Sequence, residues 1–363
     1  MKIINKMNAG QNREDIHLLF KERLLCKSKR YYFCYKKGKL ILKNANDKQT
    51  IQSVRIHSYL KSFSIYERIF RCVPRCAIVL NEEEFLYSDS GSIFRYSVKN
   101  NTVIKEHDFL KGMRNPLSFC VRKDDNIIID VLYGEYIWNL KKEPVSIYRR
   151  QEGDWIKVFD FPSNSITHIH TIIFDQNKQR YLILTGDEDK ECGIWESNLD
   201  FSTVKPLLCG AQKYRACFAY SSKDGIYYAT DTPLEQNYLY KLGNSGNLLQ
   251  ICPIPGPCIF SIQKKNCSYF ATSVEGNPLL PKWRYMLSRR LGAGVKNRYV
   301  HVIKLMKGES LEEVVSLKKD FLPMGLFQFG NVLFPQTDDD YLYIVPQSLA
   351  LREGTYIVRC NNE

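Results

Sequence analysis

The chain has 363 residues, with 52 Lys and Arg against 39 Asp and Glu, giving a formal net charge of +13. Its length allows two ordinary domains or one large repeat-built domain, and 44% hydrophobic with 25% charged residues excludes general disorder. Its 23 Tyr and 19 Phe suit strands better than helices, and no apolar run is long enough to span a membrane as a helix.

The first element is a weak copy of a repeat: YYFCY, the turn KKGK, LILK, then IQSVRIH. From residue 75 the unit becomes clearer, as apolar strand, polar turn, second strand, polar or acidic loop and third strand. The predicted first strands are Arg75–Leu80, Leu117–Val121, His168–Phe174, Arg215–Tyr220, Cys258–Ile262 and Gly325–Phe329. Turns such as RKDDN, DQNKQR and SSKDG follow them, mixtures expected of tight hairpins. Third strands read SIFRYSV, YIWNL, CGIWES, NYLYKL, RYVHVIKL and YLYIVP. The spacing, mostly about 40–50 residues, is that of a four-stranded propeller blade. The expected fold is all-β, a single β-propeller domain over residues 1–363, with seven blades and six as the alternative count. The segment 1–30 is expected to complete the last blade, and 277–301 is a basic insertion between two strands.

In a propeller, one face collects the starts of first strands and the loops between second and third strands. His168 and His170 lie two apart on a strand and so project to one face. The TGDEDKE loop brings Asp187 beside them, and a carboxylate next to imidazole sets its tautomer and basicity. Arg215, preceded by Tyr214, offers a fork for a carboxylate or phosphate, with Asp231 and Glu235 in the loop of the same repeat. Candidate catalytic residues are therefore His168, His170, Asp187, Asp231 and Glu235, with His170 expected to open into a pocket. Candidate ligand-binding residues are Arg75, Arg114, Arg215, Tyr214, Asp89 and Arg284, the last within the insertion. The structural alternative pairs Arg215 with Asp187 or Asp231 and packs the imidazoles into the channel wall. No metal or other cofactor is assigned; a divalent cation would take His168 and His170 with Asp187 or Asp231, a ligand set short of the usual three or four demonstrable donors.

The run HIHTIIFD…YLILTGDEDKECGIWES, with QKYRACFAY and YATDTPLEQNYLY after it, resembles bacterial sialidase-like (BNR/Asp-box) propellers of polysaccharide gene clusters. The likeness covers about residues 154–242, and Asp89-Ser90-Gly91 with Phe94 keeps part of the Asp-box pattern. It implies a propeller in a carbohydrate context. The expected function is action on, or binding of, an acidic glycan or glycosyl intermediate, as a glycoside hydrolase or lyase. A non-catalytic module for an anionic ligand or protein partner is the alternative.

The 12 cysteines lie largely in apolar runs and read as reduced, which, with no apolar leader in MKIINKMNAGQNREDIH, points to the cytoplasm. The insertion NPLLPKWRYMLSRRLGAGVKNRYVH mixes cations with large apolar residues and suits a lid, an acidic polymer or a peripheral membrane contact. Nucleic acid ranks below these because the cations are scattered and no binding motif occurs. P-loop, GxGxxG, GxSxG, HExxH and EF-hand patterns are absent from the sequence.

Overall fold

The computed structural model describes residues 16–110, 112–125, 127–265, 267–306 and 310–359. The fold is a mostly-β, seven-bladed propeller. By compactness the chain divides into two units, Val73–Lys223 and Met1–Cys72 with Asp224–Glu363.

The Val73–Lys223 unit holds three four-stranded antiparallel blades. The first runs through Ala77–Asn81, Glu84–Asp89, Ser92–Ser97 and Thr102–Asp108, and the second through Cys120–Asp124, Ile127–Gly134, Val145–Gln151 and Asp154–Phe161. The third comprises Ile169–Asp175, Arg180–Thr185, Gly193–Ser197 and Val204–Cys209, and the strand Ala216–Ser222 ends the unit. Second strands are buried on both faces: in Arg180–Thr185, every residue after Arg180 is buried. Continuous apolar runs, rather than alternation, are what such doubly covered strands require. Two apolar layers hold these blades together. Ile78, Leu86, Val131, Tyr133 and Trp155 share one, and Leu132, Ile147, Ile169, Ile172, Tyr181 and Ile183 share the other.

The turn of the third blade shows how sequence makes the hairpin. Buried Asp175 accepts the N–H groups of Asn177 and Lys178 at 3.1 and 3.2 Å, and the Ser221 hydroxyl at 2.6 Å. Its other oxygen accepts Arg180 Nε at 2.9 Å. One carboxylate thus satisfies the turn and anchors the neighbouring strand.

In the other unit, Gly225–Thr230, Asn237–Gly243 and Leu248–Ile254 pair antiparallel in chain order. The next blade is Cys258–Gln263, Cys267–Thr272, Tyr299–Met306 and Ser310–Lys318. The last is Asn331–Leu333, Leu342–Gln347 and Thr355–Val358, completed by Ile16–Phe20 from near the start of the chain. Ile16 faces Val358 and Leu18 faces Tyr356 in that antiparallel pair, which places part of the 1–30 segment where it was expected. Residues 1–15 of that segment lie outside the described residues.

Three strand assignments need correction. The first copy begins one strand earlier, at Arg23–Lys27, so that YYFCY is its second strand. The expected first strand Gly325–Phe329 is instead a short helix, Met324–Phe327, following Pro323, whose ring fixes φ before the first helical turn. The blade's first strand is Asn331–Leu333, which moves YLYIVP to second place. In the second blade of the Val73–Lys223 unit, YIWNL is not the third strand. Its Tyr136–Ile137 pairs with Met113–Arg114 in a separate two-stranded ladder, and Val145–Gln151 takes its place.

Among the described residues, 11 cysteines are free thiols, and no helix is long and apolar enough to cross a membrane.

Candidate functional site

The Val73–Lys223 unit gathers His168, His170, Asp187 and Arg215 at the start of its third blade. The sheet register slips between Ile169 and Thr171, so His170 is the extra residue of a β-bulge. A bulge re-aims a side chain that regular pleating would hold elsewhere. The two imidazoles end with ring centroids 4.9 Å apart. His168 Nδ1 lies 3.2 Å from the Ile137 carbonyl, and His170 Nδ1 lies 3.0 Å from the Ala216 carbonyl. Since a carbonyl only accepts, each Nδ1 carries the proton and donates. Each Nε2 faces Asp187: His168 Nε2 is 3.6 Å from Oδ2 and His170 Nε2 is 3.5 Å from Oδ1.

Gly186 turns the chain so that Asp187 reaches the imidazoles. Its φ is +142°, and an added Cβ would sit 2.9 Å from Cys192 Cα and Sγ. Neither the dihedral nor the space admits a side chain easily. Arg215 Nη2 meets Asp187 Oδ1 at 2.7 Å, and its Nη1 donates to the Asp187 carbonyl at 3.3 Å. Gln212 Nε2 donates to that same carbonyl at 2.8 Å.

The electrostatics follow from burial and these neighbours. Burial drives the His168 imidazole down to about 3, with His170 adding to the effect, so His168 is neutral at ordinary pH. Burial alone would raise the Asp187 carboxyl, but contact with His170 and the charge of Arg215 outweigh it and hold the group well below the usual carboxylate range. His168 and His170 are only 5% and 3% exposed, whereas the Asp187 side chain is 39% exposed. The expectation that His170 opens into a pocket therefore fails. The bulge folds it inward, and the carboxylate is the member that solvent reaches.

Tyr136, Glu191 and Lys142 escaped the sequence reading, whereas Arg75 and Arg114 were among its candidates. The Tyr136 ring lies 4.5 Å from His168, and the Arg75 guanidinium sits over that ring at 5.4 Å. Arg114 faces Tyr136 across the short ladder and covers Trp138 at 5.8 Å. Glu191, from the same acidic loop as Asp187, accepts the Thr167 N–H at 2.8 Å and pairs with Lys142, fixing the residue before His168. The acidic run 187–191 thus divides its labour: one carboxylate faces the imidazoles and another fastens the chain that carries them.

Asp89 is buried at the end of Glu84–Asp89, opposite Ser92, in a different blade. Tyr214 carries the Lys213 ammonium over its ring at 5.1 Å. Asp231 and Glu235 belong to the other unit, where Asp231 is buried and Glu235 exposed. Arg284 is in that unit too, on the helix Lys282–Leu287, stacked on Trp283 at 5.0 Å. The donor atoms of His168, His170 and Asp187 all lie within 4.8 Å of one another, close enough to hold a metal ion.

No sequence-family model matches this chain, and no curated protein matches its sequence. Solved structures match its fold. An oligogalacturonate lyase from Vibrio parahaemolyticus superposes with a TM-score of 0.56 at 9% identity, covering 93% of this chain and 88% of that one. A chain of the mitotic checkpoint complex gives 0.54 at 8% identity, covering 98% and 96%. The extracellular domain of a hybrid two-component system from B. thetaiotaomicron gives 0.52 at 11%, covering 98% of this chain and 40% of that one. At such identities what is shared is the fold: this chain is similar in fold to proteins of widely different roles.

Proposed function

We propose that the chain acts on an acidic glycan through the Asp187 site, by proton abstraction and β-elimination at a uronic acid. The observation that carries this reading is the state of the Asp187 carboxylate: deprotonated, solvent-reached, paired with Arg215 and backed by two imidazoles. Carboxyl-based glycoside hydrolysis needs one carboxylic acid with a raised pKa to protonate the leaving oxygen. Asp187 is displaced the other way, and Glu191 is spent on Lys142 and Thr167. Elimination breaks C5–H and C4–O of the uronic acid, forms the C4–C5 double bond and lets the departing O4 take a proton from solvent; it asks for a base and for positive charge to neutralise the sugar carboxylate. Arg215, with Arg75 and Arg114 flanking Tyr136, supplies cations of the required kind. The sialidase-like resemblance over 154–242 and the likeness to an oligogalacturonate lyase fold both suit a carbohydrate setting.

The experiment is incubation of the purified protein with oligouronides, sialylated oligosaccharides and neutral counterparts. Ultraviolet absorbance of unsaturated product, reducing ends and calorimetric binding are followed together. Unsaturated product from an oligouronide supports elimination. Reducing ends without that absorbance, or binding without turnover, would replace it with hydrolysis or with a binding module. Indifference to all acidic sugars would end the glycan reading.

A further inference from the structure

We infer that His168, His170 and Asp187 form a binding site for a single first-row divalent transition-metal ion, with Arg215 as its outer partner. Both Nδ1–H groups are committed to backbone carbonyls, Ile137 and Ala216, so a neutral ring presents the Nε2 lone pair. Both lone pairs point at the oxygens of a carboxylate, and a carboxylate is itself only an acceptor. His168 Nε2, in a residue 5% exposed, has no hydrogen-bond partner. With both rings neutral, three acceptors converge here and repel one another unless a positive centre lies between them.

The distances fit a metal ion as that centre. Two donors each about 2.1 Å from an ion, at a tetrahedral angle, are roughly 3.4 Å apart. The observed separations are 3.6 Å for His168 and 3.5 Å for His170, long for a hydrogen bond and close to a ligand–ligand edge. Imidazole nitrogens whose other N–H groups are held by carbonyls are the usual second layer of a metal centre. Arg215 on Oδ1 does not exclude the ion, because a carboxylate can take a guanidinium on one side and a metal on the other. Counting charges, a divalent ion, Arg215 and Asp187 sum to about +2, which favours an anionic fourth ligand. Three protein ligands with an open position is the pattern of catalytic rather than structural sites. Two nitrogens and one oxygen suit zinc, manganese or iron better than calcium or magnesium. This site is the one proposed above for the glycan, but its occupancy is measured with the metal alone, so either idea can fail without the other.

The test strips the purified full chain with a chelator, then titrates it with zinc chloride and separately with manganese chloride. Calorimetry and melting temperature are followed, with cobalt absorption as a probe of coordination. The expected result is one ion per chain, with affinity for at least one metal lowered about tenfold or more in both His170→Ala and Asp187→Asn. His301→Ala, a histidine that faces Glu313 in the other unit, should bind as wild type does. Because His170→Ala could disturb the bulge, Asp187→Asn, which keeps the side-chain shape, is the decisive variant. Absence of stoichiometric binding by any of the three metals, or binding indifferent to Asp187→Asn, would overturn the inference. The positive centre would then be a proton on an imidazole.

Discussion

Replacing Arg215 by alanine removes the guanidinium that meets Asp187 Oδ1 at 2.7 Å and the Asp187 carbonyl at 3.3 Å. Two effects should separate. The fold should lose little: Asp187 is 39% exposed, so solvent screens the pair and its contribution is about 1 kcal/mol or less. Affinity for an acidic sugar should fall more. A charge-assisted hydrogen bond to a ligand carboxylate contributes about 1.5–3 kcal/mol, and about 1.4 kcal/mol is tenfold in Kd, giving roughly 10- to 150-fold weaker binding. Arg215→Lys keeps the charge and loses the planar fork, so it should fall between the two. Calorimetric titration of the three proteins with an oligouronide and a neutral oligosaccharide of equal length checks this. The reasoning is refuted if Arg215→Ala binds the acidic sugar as wild type does. It is equally refuted if neutral sugars bind more tightly than acidic ones.

Other substitutions probe the scaffold around the site. Gly186→Ala forces a Cβ into Cys192 at a positive φ and should cost about 1–3 kcal/mol in urea unfolding, with a larger loss of sugar affinity than Arg215→Lys; unchanged stability would show that the loop simply relaxes. Tyr136→Ala removes the ring between Arg75 and His168 and should weaken acidic-sugar binding about tenfold, a loss that Tyr136→Phe largely restores if the ring face is what matters. His107, packed among Tyr133, Tyr148 and Trp155, has its imidazole lowered by burial from the ordinary 6.5. The unfolded chain therefore takes up the proton first, and stability is full above that value and lost as pH falls below it. His107→Phe should flatten this part of the pH–stability curve, and a wild-type curve no steeper than the variant's would contradict the assignment.

Strands were legible because second strands buried on both faces must be continuously apolar, and Gly, Asn and Asp punctuate the turns between them. YLILT and GIYYAT are examples. The order of strands within the first and last repeats was not, because an apolar run carries no label for its place in a sheet. RLLCK reads as well in any position, and MGLF is too short for helical and strand periods to differ. The His168, His170 and Asp187 cluster was legible from local spacing and an acidic loop. The inward turn of His170 was not, since a bulge depends on how the partner strand pairs. Tyr136 and Lys142 reach the cluster from distant stretches of chain, and nothing in their own neighbourhoods marks them. Asp231 and Glu235 looked equivalent to Asp187 by their place in the repeat, yet one is buried and the other exposed.

The central claim is that the Asp187 carboxylate, with its imidazoles and Arg215, is a working site for an acidic glycan. The most direct measurement is unsaturated-product formation from an oligouronide by wild type and Asp187→Asn, side by side, with melting temperatures recorded for both. Product is expected from wild type, with a loss of at least about 100-fold in the variant and little change in melting. Equal rates in the two proteins, or neither product nor binding in wild type, would contradict it.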